Sequence, residues 1–414
     1  MDLARPPSAN GEKSPERLSR RAIIAGAGIG GLSTAIALLQ AGFRVAVYER
    51  ANTIEEFGAG LQLTPNATRI LSRLGVLERV LRVASRPNAI LVLRGSDSIE
   101  LMRMPLDAAE RRWGAPYLII HRVDLRRELI GAVRGQPNVE LSLGTSVLDF
   151  ANNGGRVSVG LKSGLTQARD DADLLIGADG LRSQIRDRLG FGAQDQAEFT
   201  GRVAYRAIVN SDDADPQLTR NNIILRLGKE AHLVQYPLRG GSITNLVATI
   251  GSATPTRDAN HADREEDEGP SRSSLENAFS GWSREARLLT RAPAQWRAWP
   301  LYHRSPISSF SLGRVALVGD AAHPMVPFLA QGAAQAIEDA GALGRILAQV
   351  QDIPAALSMY SRDRVARAGR VQREALKLGR IYHLGGPWAF ARDTTMRSLG
   401  TRGLVERYDW LYGA

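Results

Sequence analysis

The stretch Gly26-Ala-Gly-Ile-Gly-Gly31 is spaced to hold a diphosphate. It follows the apolar run Ala22–Ala25, and an amphipathic stretch from Leu32 to Gln40 comes after it. A second apolar run, Val45–Tyr48, then ends in Glu49 and Arg50. Strand, glycine turn, helix and second strand closed by a carboxylate form a βαβ unit of about thirty residues. In such a unit Gly26 permits the tight turn, Gly28 lets backbone N–H groups approach a pyrophosphate, and Gly31 lets the helix pack on the strand. The helix N-terminus faces the diphosphate, and Glu49 can accept from a ribose hydroxyl. Two further stretches, Gly177-Ala-Asp-Gly180 and Gly319-Asp-Ala-Ala-His-Pro324, carry a carboxylate each, Asp179 and Asp320. Taken together the three point to one bound flavin.

A second group lies in His232-Leu-Val-Gln-Tyr236. Side chains alternate along a strand, so His232, Val234 and Tyr236 share one face, with the outer two about 13 Å apart at about 3.3 Å per residue. They can line one wall of a cavity that holds an aromatic ring. Periodicity alone describes equally well a half-buried histidine and a packed aromatic. Among the other histidines, His323 belongs to the third motif, His121 stands beside Arg122, His261 sits in an acidic loop, and His303 and His383 have no companions. No histidine pair shows metal-ligand spacing with carboxylates, so no metal is expected. The chain has 414 residues and no cysteine, which excludes disulfides, thiolate catalysis and zinc–thiolate sites.

These residues need a scaffold. The pattern is α/β: a Rossmann-like nucleotide domain with the GxGxxG turn, an inserted antiparallel-sheet domain and C-terminal helices. Residues 1–20 are polar and read as a disordered arm. Residues 21–85, 115–195 and 305–350 form the discontinuous nucleotide domain. Residues 86–114 and 196–304 form the inserted domain, and 351–414 the helical end. Within this frame a helix is expected after Asn66, another over Asp124–Val133, and one over Leu275–Leu289. Strands are expected at Val139–Phe150, Arg156–Leu161 and Ala172–Ile176, and a polar surface loop at Thr254–Ser274. No stretch of about eighteen apolar residues occurs, so no membrane span is expected and the anticipated address is cytoplasmic.

The formal net charge is +10. Lys13, Lys162, Lys229 and Lys377 are the lysines among 53 basic residues, so arginine carries the charge, and it is spread along the chain without a basic tract. That pattern argues against a nucleic-acid partner and suits attraction of a small anion.

With these motifs in order, the chain resembles the single-component flavin-dependent aromatic hydroxylases, the group that includes para-hydroxybenzoate hydroxylase. The resemblance runs from Arg21 to Ala414. Gly58–Gln62, His121–Leu125, His232–Gly241 and Tyr408–Gly413 look most like salicylate hydroxylase and 3-hydroxybenzoate 6-hydroxylase. The resemblance implies non-covalent FAD held by Gly26, Gly28, Gly31, Glu49, Arg50, Gln62, Leu63, Arg122, Asp179, Asp320, Gly332 and Ala333. Asp320 would take a ribityl hydroxyl, and the helix beginning at Gly332 would face the pyrimidine end of the flavin ring. It places His232 and Tyr236 as catalytic residues in a pocket shared with Val234, Pro327 and Phe328. The implied reaction uses NADH or NADPH as a transient co-substrate, and dioxygen through a C4a-hydroperoxyflavin, to hydroxylate a small aromatic carboxylate. A homodimer is compatible with it.

Pro327 departs from 3-hydroxybenzoate 6-hydroxylase, which resembles this region but carries glutamine there, while salicylate-type enzymes have the Pro-Phe pair. Gln62 stands where 6-hydroxynicotinate enzymes carry histidine. Salicylate is thus the favoured ring, with 3-hydroxybenzoate and 6-hydroxynicotinate as alternatives. A Rossmann dehydrogenase leaves the second and third motifs unexplained. A flavin halogenase shares only a superficial likeness at Trp296-Arg-Ala-Trp299-Pro300. A non-catalytic flavin-binding protein is the alternative of a different class.

Overall fold

Three strands far apart in the chain lie side by side in the computed structural model, which describes residues 20–53, 60–107, 109–190, 196–210, 221–255 and 272–413. They are Val315–Leu317, Leu174–Gly177 and Arg21–Ala25, and Arg44–Glu49 and Val139–Leu143 continue the sheet. All five run parallel; the short edge strand Ser311–Leu312 is antiparallel. Burial on both faces is why Ala22–Ala25, Val45–Tyr48, Leu174–Gly177 and Val315–Leu317 read as unbroken apolar runs, unlike the edge strand Val139–Leu143. The helix Ile29–Gln40 packs against this sheet, Arg122–Val133 and Gly332–Gln349. It was expected to be amphipathic, but Ile29 and every residue from Gly31 to Leu38 are buried, because other elements cover it on several sides.

The second sheet has seven strands in the order Arg297–His303, Glu198–Asn210, Ile243–Gly251, Ala231–Leu238, Ile223–Gly228, Ala89–Arg94 and Glu100–Pro105. It is antiparallel except where Ile223–Gly228 meets Ala89–Arg94. Those two strands are separated by more than a hundred residues of other structure, so no hairpin dictates their direction. A two-stranded pair, Gly60–Leu63 with Leu118–His121, and a three-stranded meander, Thr145–Asn152, Val157–Ser163 and Thr166–Ala172, complete the β structure among the described residues. The last of these was not anticipated, since Thr-Gln-Ala-Arg-Asp-Asp-Ala is mostly exposed and lacks apolar alternation.

The helix expected over Leu275–Leu289 is two helices, Arg272–Ala278 and Arg284–Arg291. Ser283 caps the second by accepting from the Ala286 N–H, and Trp282 is buried in the break. The C-terminal region forms the long helices Ile353–Tyr382 and Gly386–Arg407, then Asp409–Tyr412. Residues 1–19 of the anticipated arm, Gly58 and Ala59, and most of the Thr254–Ser274 loop lie outside the described residues. No helix among the described residues is long and apolar enough to cross a membrane.

Candidate active site

The three glycine motifs converge because each leaves the same edge of one sheet. Ala25 is in register with Gly177, and Gly177 with Leu317. The chain therefore runs out at neighbouring positions into Gly26, Ala178 and Gly319, at the C-terminal ends of parallel strands where open α/β sheets bind ligands. Gly26 has φ +106°, and a Cβ on Gly31 would lie 2.0 Å from the Gly26 carbonyl oxygen, so neither position admits a side chain. A Cβ on Gly28 would meet nothing within 4 Å, which leaves its backbone open to a ligand. These features match a dinucleotide diphosphate.

Glu49 braces this turn. Its carboxylate accepts from the Ala27 N–H at 2.8 Å and the Ala51 N–H at 3.0 Å, with Arg126 at 3.5 Å. The Asp179 carboxylate accepts from the Ser183 hydroxyl at 2.6 Å and the Ile185 N–H at 3.3 Å. Its flanking residues Ala178 and Gly180 line a cavity of about 670 Å³, together with Gly28, Gln62, Arg122, Asp320, Gly332 and Ala333. Burial raises the Asp179 carboxyl above the usual range, against the pull of Ser183. Arg50 is exposed at the end of its strand, and the Leu63 side chain is fully buried in the core; neither lines the cavity.

Beneath the third motif lies a polar network absent from the expected site. Asp339, fully buried, accepts from the Gly319 N–H at 2.8 Å and from Arg364 Nε at 2.7 Å. Burial opposes its charge, but His323 and Arg364 hold the carboxyl below the ordinary range. Glu338 binds Arg364, Arg367 and Asn66. Asn66 also donates to Gln331, the residue before the Gly332 helix. This network fixes the helix N-terminus, whose partial positive charge faces the cavity.

The cavity continues onto the second sheet. Register sets Thr249 opposite His232, Val247 opposite Val234, and Asn245 opposite Tyr236. His232, Val234 and Tyr236 all line the cavity, as do Pro327 and Phe328 across from them. The Phe328 ring stands edge-on to the His232 ring at 5.4 Å. Tyr236 is buried against Gly60, where a Cβ would come within 2.4 Å of its ring, and Tyr117 donates to Gln62 Oε1 at 2.6 Å. Burial pushes the Tyr236 and Tyr117 phenols well up, so both are neutral donors at neutral pH. Arg206, stacked 5.1 Å over Trp299, reaches the cavity from the next strand but one.

His383 is not without a companion. Its Nε2 lies 2.7 Å from His232 Nδ1, and both rings are 3% exposed. The sequence carries no local signal for this pair, because 151 residues separate the two. Burial, then His383 and Arg202, hold the His232 imidazole well below its usual pKa, and burial and Arg202 bring His383 to about 3. Both are therefore neutral, and a neutral imidazole is a proton acceptor.

The FAD binding domain family matches residues 20–375. A 3-hydroxybenzoate 6-hydroxylase of Polaromonas naphthalenivorans is 36% identical over 394 residues, covering 94% of this chain and 95% of that protein. Klebsiella pneumoniae HpxO, solved with FAD and uric acid, superposes with a TM-score of 0.82 at 26% identity, covering 95% of this chain and 96% of the other. A salicylate hydroxylase substrate complex shares the fold, with a TM-score of 0.77 at 24% identity and 95% of this chain covered.

Proposed function

The chain belongs to the FAD binding domain family and is a single-component FAD-dependent aromatic monooxygenase; from that premise we propose that it hydroxylates a monohydroxylated benzoate held between Phe328 and the strand bearing His232 and Tyr236. The observation that carries this reading is one continuous cavity joining the glycine turn and the Gly332 helix to His232.

Bound FAD, reduced by NADH or NADPH, supplies the activated oxygen. The chain's own residues do the rest. Gly26, Gly28 and Gly31 take the diphosphate, Glu49 the adenosine ribose, and Asp320 a ribityl hydroxyl. Arg122, the first residue of Arg122–Val133, reaches the phosphate and ribityl region. The N-terminus of the 18-residue helix at Gly332 and Ala333 favours negative charge on the ring's pyrimidine end. Asp179 holds the loop of the second motif.

At the other end, His232 Nε2 accepts the proton of the ring hydroxyl, which activates the ring carbon. Tyr236 donates to and orients the substrate, and Arg206 provides positive charge for its carboxylate. Phe328, Val234 and Pro327 exclude water from the reacting oxygen.

The relative of highest identity described above acts, by its name, on 3-hydroxybenzoate, whereas Pro327 and Phe328 favour salicylate. The test is NADH oxidation, oxygen uptake and product identification with salicylate, 3-hydroxybenzoate, 4-hydroxybenzoate and 6-hydroxynicotinate. Flavin-loaded protein whose NADH oxidation none of these rings stimulates would overturn the reading. A homodimer and a cytoplasmic address complete the proposal, checked by light scattering and cell fractionation.

A further inference from the structure

We propose that His383 is the positioning residue that makes His232 a base, its Nε2 accepting the Nδ1 proton of His232 so that His232 Nε2 faces the substrate unprotonated. The inference rests on the hydroxylase reading of the same site and adds a residue to it.

Two imidazoles 2.7 Å apart share one proton along that contact, and which ring supplies it decides what the other end can do. If His383 Nε2 donated, a neutral His232 would carry its own proton on Nε2 and present a donor to the cavity. If His232 Nδ1 donates, Nε2 is a lone pair. His232 lines the cavity and His383 does not, so the ring that meets the substrate hydroxyl is His232. His383 turns Nε2 to His232, and its Nδ1 is buried without a hydrogen-bond partner. The tautomer that leaves His232 Nε2 a lone pair toward the cavity is the one in which His232 is the donor between them.

The arrangement also moves charge. As the substrate O–H breaks, the proton joins His232 Nε2 and the Nδ1 proton passes to His383 Nε2. His232 ends neutral in its other tautomer, His383 carries the positive charge, and the phenolate carries the negative.

The mounting is rigid. His383 closes Ile353–Tyr382 as its C-terminal cap, and its carbonyl accepts from the Glu230 N–H at 3.2 Å. The two rings lie 4.9 Å apart at 33°, with Phe328 and Tyr382 edge-on to His232. The charged and titratable groups around them are Arg202 with its partner Glu230, Lys229 beside Gly385, Tyr382, and Arg392 with Asp393. Arg202 and Arg392 disfavour a resident positive charge, so the pair rests neutral and takes a proton only against a newly formed anion. Two buried polar rings paired with each other are a poor way to stabilise a core, which an apolar pair would fill at lower cost.

The test compares wild type with His383→Phe and His383→Gln. FAD content and thermal melting establish folding. The first readout is product formed per NADH consumed from pH 6 to 9. The second is the visible titration of a nitro-substituted hydroxybenzoate in the cavity, which reads ionisation of the bound hydroxyl directly. In His383→Phe the bound hydroxyl titrates about one unit higher or more, a roughly tenfold loss of phenolate at a given pH, and coupling falls with it. His383→Gln, whose amide oxygen can accept from His232 Nδ1, recovers most of both. An unchanged titration and pH profile in His383→Phe would overturn the proposal, as would a His383→Gln no better than His383→Phe. Should the phenylalanine variant not fold, His383→Asn replaces it, being too short to reach His232; equal behaviour of Asn and Gln then overturns the proposal. Wild type that hydroxylates no ring removes the function reading instead, while the probe titration still reports what His383 does to His232.

Discussion

His323 Nε2 lies 2.6 Å from Asp339 Oδ2, with both side chains fully removed from solvent. The same oxygen takes the Gly319 N–H, and the other takes Arg364. One carboxylate thus ties the third glycine motif to Gly332–Gln349, the helix that carries it, and to Ile353–Tyr382. The loop beneath the flavin site is therefore held from behind by charge, while its front is left to the ligand.

Asp339→Asn should accordingly cost about 3–5 kcal/mol, because it leaves Arg364 and His323 buried beside a neutral amide. Urea unfolding measures the loss, and FAD affinity should fall with it. The pH dependence has a definite sign. The folded carboxyl titrates below its unfolded value, so its contribution is complete above about pH 4 and disappears as pH falls through the folded value. The variant should therefore lose part of the decline in stability that sets in as pH falls below about 4. A variant as stable as wild type would reduce the network to packing.

Glu49→Lys should weaken FAD binding by at least about tenfold. The substitution strips the Ala27 and Ala51 N–H groups of their acceptor and puts a cation where a ribose hydroxyl must donate. Fluorescence titration of the apoprotein with FAD measures it, and equal affinity would show that the βαβ turn does not bind the ribose.

What was legible in the chain was whatever repeats locally. The glycine turn, the carboxylate after the second strand, and the alternation His232–Val234–Tyr236 are short-range patterns; the turn and the alternating strand reach the cavity, and the carboxylate braces the turn. The Asp339–Arg364 network and the His232–His383 pair were not legible, because their partners come from helices whose own periodicity reports only burial. His383 is one histidine at the end of a thirty-residue helix, and nothing within a turn of it marks its neighbour. Thr166–Ala172 was missed for the opposite reason: an edge strand facing water carries no apolar signal. Leu63 shows the limit of motif transfer, since its side chain turns to the core while Gln62 beside it faces the cavity.

Gly60→Ala should raise the KM for the aromatic substrate by roughly tenfold and leave FAD content unchanged. The added methyl would fall 2.4 Å from the Tyr236 ring, which is buried and must shift to admit it. Steady-state kinetics with saturating NADH separates the two effects. An unchanged KM would place Tyr236 outside substrate contact.

The sharpest expectation concerns His232→Ala. If the imidazole accepts the ring-hydroxyl proton, its loss should lower hydroxylation by roughly 10²–10⁴-fold, the usual contribution of a positioned acid–base group. FAD should stay bound, because His232 lies on Ala231–Leu238 in the second sheet and the diphosphate motifs lie on the first. Substrate-stimulated NADH oxidation should persist in part, since the ring still enters the cavity, but a ring that keeps its proton is a poor acceptor of oxygen. Reducing equivalents should then leave as hydrogen peroxide. NADH consumed, peroxide released and product formed, measured side by side, distinguish this outcome from a general loss of activity. Removing His232 also strips His383 of its partner, so a modest fall in melting temperature is expected whatever the chemistry; the ratio of peroxide to product decides the role. A variant with full rate and tight coupling would make His232 a packing residue and leave Tyr236 as the group that handles the proton.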